Sequence, residues 1–349
     1  MKTIVKYFVF VLVMQPMFLL YCQNNTNEII KAYELRMDGN SEEAINVLSK
    51  IISSDSTNAL AHFEIARSLE NDKKTEHIIK ALYYDPKNLV YRFYLANLHM
   101  LEAYKAMKTN NKESITKNLN LCKETLKSIL AIKPDCRESL LFLIDIYGSI
   151  PEDMGGNVDM AKTYLKTLKS VDLLYAAQGE LILKSKEPDF DIVNHWKTYI
   201  DTNGESNEAL VKLGKAYLMT ANMVKAKKCF AKVINRDPEQ VILHLDVARA
   251  HLYKAMRGED KRDKELNKFK ENIHLYLNTV VKKPKLIEAW CYGWLGMIEG
   301  RLGNNKLRDE YITKAEKLIP NYPKFTAIPT IDQPPNAVAY QYKSYFSPF

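Results

Sequence analysis

The 34-residue run from Asn207 to Gln240 limits what this chain can fold into more than any other stretch. Leu210, Leu213, Gly214 and Tyr217 recur in it at helical spacing, and after a short break Ala226, Phe230 and Val233 do the same. Two such helices joined by a few residues must lie antiparallel. Gly214 and Ala226 are small where the backbones would touch, and the larger side chains fill the gaps between them. Pro238, directly after Asp237, has no amide hydrogen with which to continue the second helix. One hairpin of this size cannot bury its own apolar face, so the chain has to supply neighbours that stack on it.

Those neighbours can be found by their periodicity. A first hairpin carries Ala32 and Leu35, a Gly39-Asn40 turn, then Ala44, Leu48 and Ile51. A second carries Ile65, Ala66 and Leu69, then Ile78, Ala81 and Leu82, closing at Asp85-Pro86. The third ends at Lys133-Pro134, 48 residues beyond Pro86, and the seventh ends at Lys283-Pro284, 46 beyond Pro238. Against a 34-residue unit both hold an insertion, expected at Met107 to Lys117 and at Arg257 to Lys270. The fourth places Pro151 to Gly156 between its helices, the fifth is degenerate around Gly179 and Trp196, and the eighth runs through Leu295, Gly296 and Ala315 to Pro320. The sixth unit resembles the tetratricopeptide pattern of Leu-x2-Leu-Gly-x2-Tyr, Ala-x3-Phe and Pro. The resemblance implies an all-α, right-handed superhelical solenoid of about eight stacked hairpins over residues 23–320. Pro151 with Gly155-Gly156 also resembles a feature of exported bacterial envelope proteins of this superfamily.

Composition agrees with a packed helical chain: of 349 residues only 12 are Gly and 13 Pro, and 46% are hydrophobic. Lys2 and Lys6 precede an apolar run from Tyr7 to Tyr21, which reads as a signal peptide over residues 1–22 and too short and interrupted a stretch to span a membrane. The expected location is therefore periplasmic or extracellular. Leu19-Leu20-Tyr21-Cys22 partly resembles a bacterial lipoprotein box, although Tyr21 stands where that box has a small residue; lipidation of Cys22 would add a membrane anchor, and without it no membrane association is expected. Residues 321–349, with five prolines and Tyr340, Tyr342, Tyr345, Phe346 and Phe349, read as an extended tail that docks on the protein itself or on a partner. Cys122 with Cys136 is the one plausible local disulfide among four mature cysteines.

The formal charge of +8 is modest, and no clustered Arg with interleaved aromatics points to nucleic acid. No His-Glu-x-x-His, phosphate loop or nucleophile elbow occurs, so an enzyme and a cofactor are not expected. His244 and His251 are seven apart on one face, but they stand where Leu210 and Tyr217 stand in the sixth unit, so packing is the stronger reading than a metal. First helices of such a solenoid line its concave side. Projecting the register of the sixth unit puts Phe63 and Arg67, Phe93 and Asn97, Lys215, and Leu245, Arg249 and Tyr253 there, either as a groove for a peptide or as packing against the next hairpin. The resemblance implies a Lys and an Asn one turn apart for gripping a terminal carboxylate; Phe93 stands in the place of that Lys, which argues against chaperone-tail recognition. The insertions all fall on the edge where hairpins turn, which makes Met154, Arg257, Lys261 and Arg262 candidate contacts if they are more than tolerated elongations. Together these features point to an exported, non-catalytic protein-protein interaction scaffold for a protein or peptide partner. The alternative is an envelope ligand-binding subunit associated with solute uptake.

Overall fold

In the computed structural model, residues 26–69, 73–258 and 262–320 are described. Among them there are sixteen α-helices and no strand. They pair into eight hairpins: α1 (26–37) with α2 (Ser41–Ser54), α3 (Ala59–Ser68) with α4 (Lys73–Tyr84), α5 (Leu89–Lys108) with α6 (Lys112–Ile132), and α7 (Arg137–Ser149) with α8 (Val158–Val171). The second half holds α9 (Leu173–Lys184) with α10 (Ile192–Asn203), α11 (Asn207–Met219) with α12 (Met223–Arg236), α13 (Leu243–Arg257) with α14 (Arg262–Leu277), and α15 (Lys285–Arg301) with α16 (Asn305–Leu318). Helices pack on their neighbours in the chain, as expected when each hairpin can bury its apolar face only against the adjacent one. The proposed signal peptide, Cys22, Lys261 and the tail from residue 321 lie outside the described residues.

A repeated polar device sets the joints between hairpins. Asn58 and Asn88 cap α3 and α5 by accepting from Ala61 N and from Val90 and Tyr91 N, and each donates its amide to the aspartate three residues earlier, Asp55 and Asp85. One side chain thus satisfies orphan amides at the helix start while holding the turn that precedes it. Inside hairpin six the small-against-large rule is visible: a Cβ on Gly214 would lie 2.3 Å from Cε1 of Phe230. Only a residue without a side chain lets that ring press on the backbone of α11.

The insertions in hairpins three and seven are helix, and this corrects the expectation of surface elongations. α5 and α6 run 20 and 21 residues, and their additional turns bury Ala103, Ala106, Ile115 and Leu119 against one another. α14 brings Leu266 and Phe269 into the core at 3% and 0% exposure, and Glu265 is buried where its Oε2 meets His251 Nδ1 at 2.7 Å. Charge along Arg257 to Lys270 hid a buried stripe. The segment from Pro151 to Gly156 is a tight clamp: Lys123, itself buried, lies over the Tyr147 ring at 5.2 Å and donates to the Gly155 carbonyl at 3.0 Å. A Cβ on Gly156 would fall 1.8 Å from the Ile150 carbonyl oxygen, so glycine is obligatory there.

The two ends of the run of hairpins touch. Asp38, in the turn of the first hairpin, pairs with Lys285 at the start of α15, and a Cβ on Gly39 would stand 3.1 Å from Cγ2 of Ile319 at the end of α16. The cysteines Cys122, Cys136, Cys229 and Cys291 are buried free thiols, so Cys122 and Cys136, the one plausible local pair, are not bonded to each other. Each fills space as a small apolar side chain.

Candidate binding wall of the first helices

The register that nominated the groove residues divides them into two environments. Phe63 is 1% exposed and lies against Tyr91 and Tyr94 of the next hairpin, with ring centroids at 4.6 and 5.4 Å. Arg67 is buried, with Nη1 2.7 Å from Oε1 of the fully buried Glu64 and its guanidinium 5.1 Å from the Phe63 centroid. Phe93 is buried against Phe142, and the Asn97 amide is committed to the Phe93 carbonyl at 2.8 Å. Leu245 is wholly buried. All five side chains are therefore buried, and Phe63 and Phe93 pack against the next hairpin, as the packing alternative expected.

Lys215, Arg249 and Tyr253 are accessible. Lys215 on α11 reaches Asp246 on α13 at 3.5 Å, and Arg249, one turn on from Asp246, approaches the same carboxylate at 3.8 Å. Lys212 on α11 donates to Gln178 of α9 at 2.7 Å, so three consecutive first helices are tied by polar bridges along one wall. Desolvation, with the Lys215 charge beside it, brings the Lys212 ammonium down to about 8. Lys215 and Arg249 thus share one carboxylate across α11 and α13. One turn beyond Lys215 and Arg249 stand Met219 and Tyr253, 49% and 57% exposed, and Met256 is more exposed still. Arg257 lies over the Tyr253 ring at 4.9 Å, and this is how the turn edge joins the wall. Arg262 is exposed at the start of α14, while Met154 is half-buried against the core of hairpins three and four.

Sequence reasoning missed Lys212, Asp246 and Met219. Register alone could have found them, since Asp246 sits one unit on from Lys212 and Tyr253 one unit on from Met219. It also missed a cleft of about 710 Å³ in the degenerate fifth hairpin. Gly179 of α9 turns its bare backbone to Leu165 and Ile144 of the preceding hairpin, where a Cβ would lie 3.0 and 3.2 Å from them. α10 instead presents Asp191, Asn194, His195, Thr198 and Thr202 to the gap, a polar stripe at helical spacing that does not interdigitate with α9. The His195 Nε2 donates to the Ala177 carbonyl at 3.0 Å and ties the two helices where they diverge.

His251 is buried, with its Nδ1 2.7 Å from Oε2 of Glu265, and His244 is half-buried on the same helix, so both take part in packing. No helix among the described residues is long and apolar enough to cross a membrane.

Residues 208–239, which form α11, α12 and the turn that follows, match the family described as Tetratricopeptide repeat. The chain carries a tetratricopeptide repeat. Its other hairpins repeat the same antiparallel unit with altered helix lengths. No curated protein matches the chain. Solved structures similar to it include a tetratricopeptide repeat protein from Parabacteroides merdae, at 15% identity and TM-score 0.35 over 85% of this chain and 93% of that one. Others are a human IFIT1 dimer with m7Gppp-AAAA, at 18% identity and 0.36 over 80% and 68%, and the P58(IPK) TPR domain, at 10% and 0.22 over 84% and 98%. A tetratricopeptide fold is that of a scaffold for protein or ligand binding, and families with this repeat are generally non-catalytic.

Proposed function

We propose that the protein is an exported, non-catalytic scaffold that binds a polypeptide along the α9–α11–α13 wall and the adjoining turn edge. The observation that carries this reading is the pairing of half-exposed cations, Lys215 and Arg249, with exposed apolar anchors one turn further along the same faces, Met219 and Tyr253. Charged groups set register and attraction, and a large aromatic supplies the buried contact. The partner that fits carries carboxylates about one helical turn from apolar side chains. The basic start, the apolar run to Tyr21 and the cysteine at position 22 support export, with lipidation of Cys22 as its membrane-anchored variant.

Fluorescent peptides that alternate Asp or Glu with Leu and Phe, alongside versions with Lys in place of the acids, test the wall. The acidic set should bind more tightly, and Lys215→Glu with Arg249→Glu should weaken it about tenfold or more while helicity stays unchanged. Equal affinity for the two peptide sets, or no loss in the double variant, would remove the wall from the account.

The cleft between α9 and α10 favours a second reading, that of a ligand-binding subunit, because its volume lies within the range of small-molecule sites and its walls mix Tyr199 and Ala176 with Asn194, Thr198 and Glu180. Filling it by Thr198→Trp separates the two readings. Under the scaffold reading the acidic peptides bind the filled variant unchanged.

A further inference from the structure

His62 on α3 and His77 on α4 face each other with their Nδ1 atoms 3.1 Å apart. The Nε2 of His62 lies 3.1 Å from the Ser56 carbonyl oxygen, which can only accept, so that nitrogen carries the hydrogen of a neutral ring and Nδ1 holds a lone pair. Two bare lone pairs repel at this distance, and two N–H groups would clash. One positive centre or one shared hydrogen must therefore lie between the rings. Without a metal it is the His77 Nδ1 hydrogen, donated to His62.

We propose that His62 and His77 form a two-imidazole site for a divalent transition-metal ion of the Zn2+ type, which takes the place of that hydrogen as it passes through solvent from Nδ1 to Nε2 of His77, and which braces the second hairpin. Zn–N bonds of about 2.0–2.1 Å at a tetrahedral angle put two ligand nitrogens about 3.3–3.4 Å apart, so a metal fits after the rings part by a few tenths of an ångström. The Ser56 carbonyl fixes the tautomer and aim of His62, as outer partners of metal-bound imidazoles do. Tyr84 stacks on the His62 ring at 5.9 Å and holds its plane. His62 is 4% exposed but His77 is half-buried, which leaves the metal's remaining positions open to water. Of the neighbouring charges, Asp55 and Glu76 favour a cation, while Lys80, bonded to Glu76 at 2.7 Å, and Lys73 oppose it. With no third His, Cys, Asp or Glu in reach among the described residues, the site is of the exchangeable kind, loading with the metal supply and emptying to a chelator.

Titration of the full-length protein with Zn2+, and separately with Mg2+, by calorimetry and thermal melting tests the site. One equivalent of Zn2+ should bind and raise the melting temperature, EDTA should reverse this, and Mg2+ should do nothing. His77→Gln removes a half-exposed ligand without opening the core, so it should fold with unchanged helicity and lose that equivalent. His62→Gln should do the same where it folds. X-ray absorption of the loaded protein should show two imidazole nitrogens. Zn2+ binding that persists in His77→Gln, or a loaded spectrum without two imidazoles, would overturn the proposal, as would the absence of Zn2+ binding to the unaltered chain.

Discussion

Replacing Phe269 by Ala is expected to cost about 3–5 kcal/mol, the loss characteristic of a large buried ring that leaves a cavity behind. Phe269 is 0% exposed and meets the edge of Trp294 at 5.8 Å, joining α14 to the next hairpin. A decorative surface insertion would behave otherwise, since substitutions in exposed segments stay within about 0.5 kcal/mol. Chemical unfolding followed by tryptophan fluorescence reads the change locally, because Trp290 and Trp294 belong to the same cluster. A loss below about 1 kcal/mol would return the stretch to the status of an elongation.

The second large effect lies near the other end of the chain. Glu64 is wholly buried on α3, with its two oxygens at 3.4 Å from Arg36 Nη2 and 2.7 Å from Arg67 Nη1. Removing one partner from a buried ionic cluster leaves charge without its counterpart and typically costs about 3–5 kcal/mol. Glu64→Ala should show this. In a repeat protein the loss need not unfold the whole chain, so hydrogen exchange is the suitable measurement. Protection should fall across α1 to α4 and persist in α11 to α14. A uniform loss, or none, would mean that the cluster does not hold the first two hairpins together.

The eight hairpins were legible because the contacts that define a unit are local. Gly214 meets Phe230 sixteen residues away, and a 3.6-residue period with one proline stop is enough to place both. Helix lengths in hairpins three and seven were not legible. Ile115, Leu119 and Cys122 keep the period of α6, but Lys and Asn between them dilute it, and a fixed 34-residue unit turns two extended helices into an apparent loop. The candidate wall was half legible. Arg67 and Lys215 occupy the same register position, yet Arg67 is buried beside Phe63, which Tyr91 and Tyr94 of the following hairpin cover, while Lys215 stays accessible. Nothing near Phe63 in the sequence announces that cover. The His62–His77 contact has no local signature either, since the two rings are brought together only by how α3 and α4 pack.

The central claim, that a polypeptide is bound on the wall of the first helices, is tested most directly by a photo-crosslinking residue placed at Tyr253 and, in a separate variant, at Tyr83. Both positions are exposed, at 57% and 78%, but only Tyr253 belongs to the wall. The crosslinkers are activated in the native setting of the protein, and the adducts are sequenced. The account predicts adducts from position 253 with a segment in which acidic residues accompany apolar ones, abolished by Lys215→Glu with Arg249→Glu, and few from position 83. Adducts of equal abundance from the two positions, or adducts from Tyr83 alone, would contradict it.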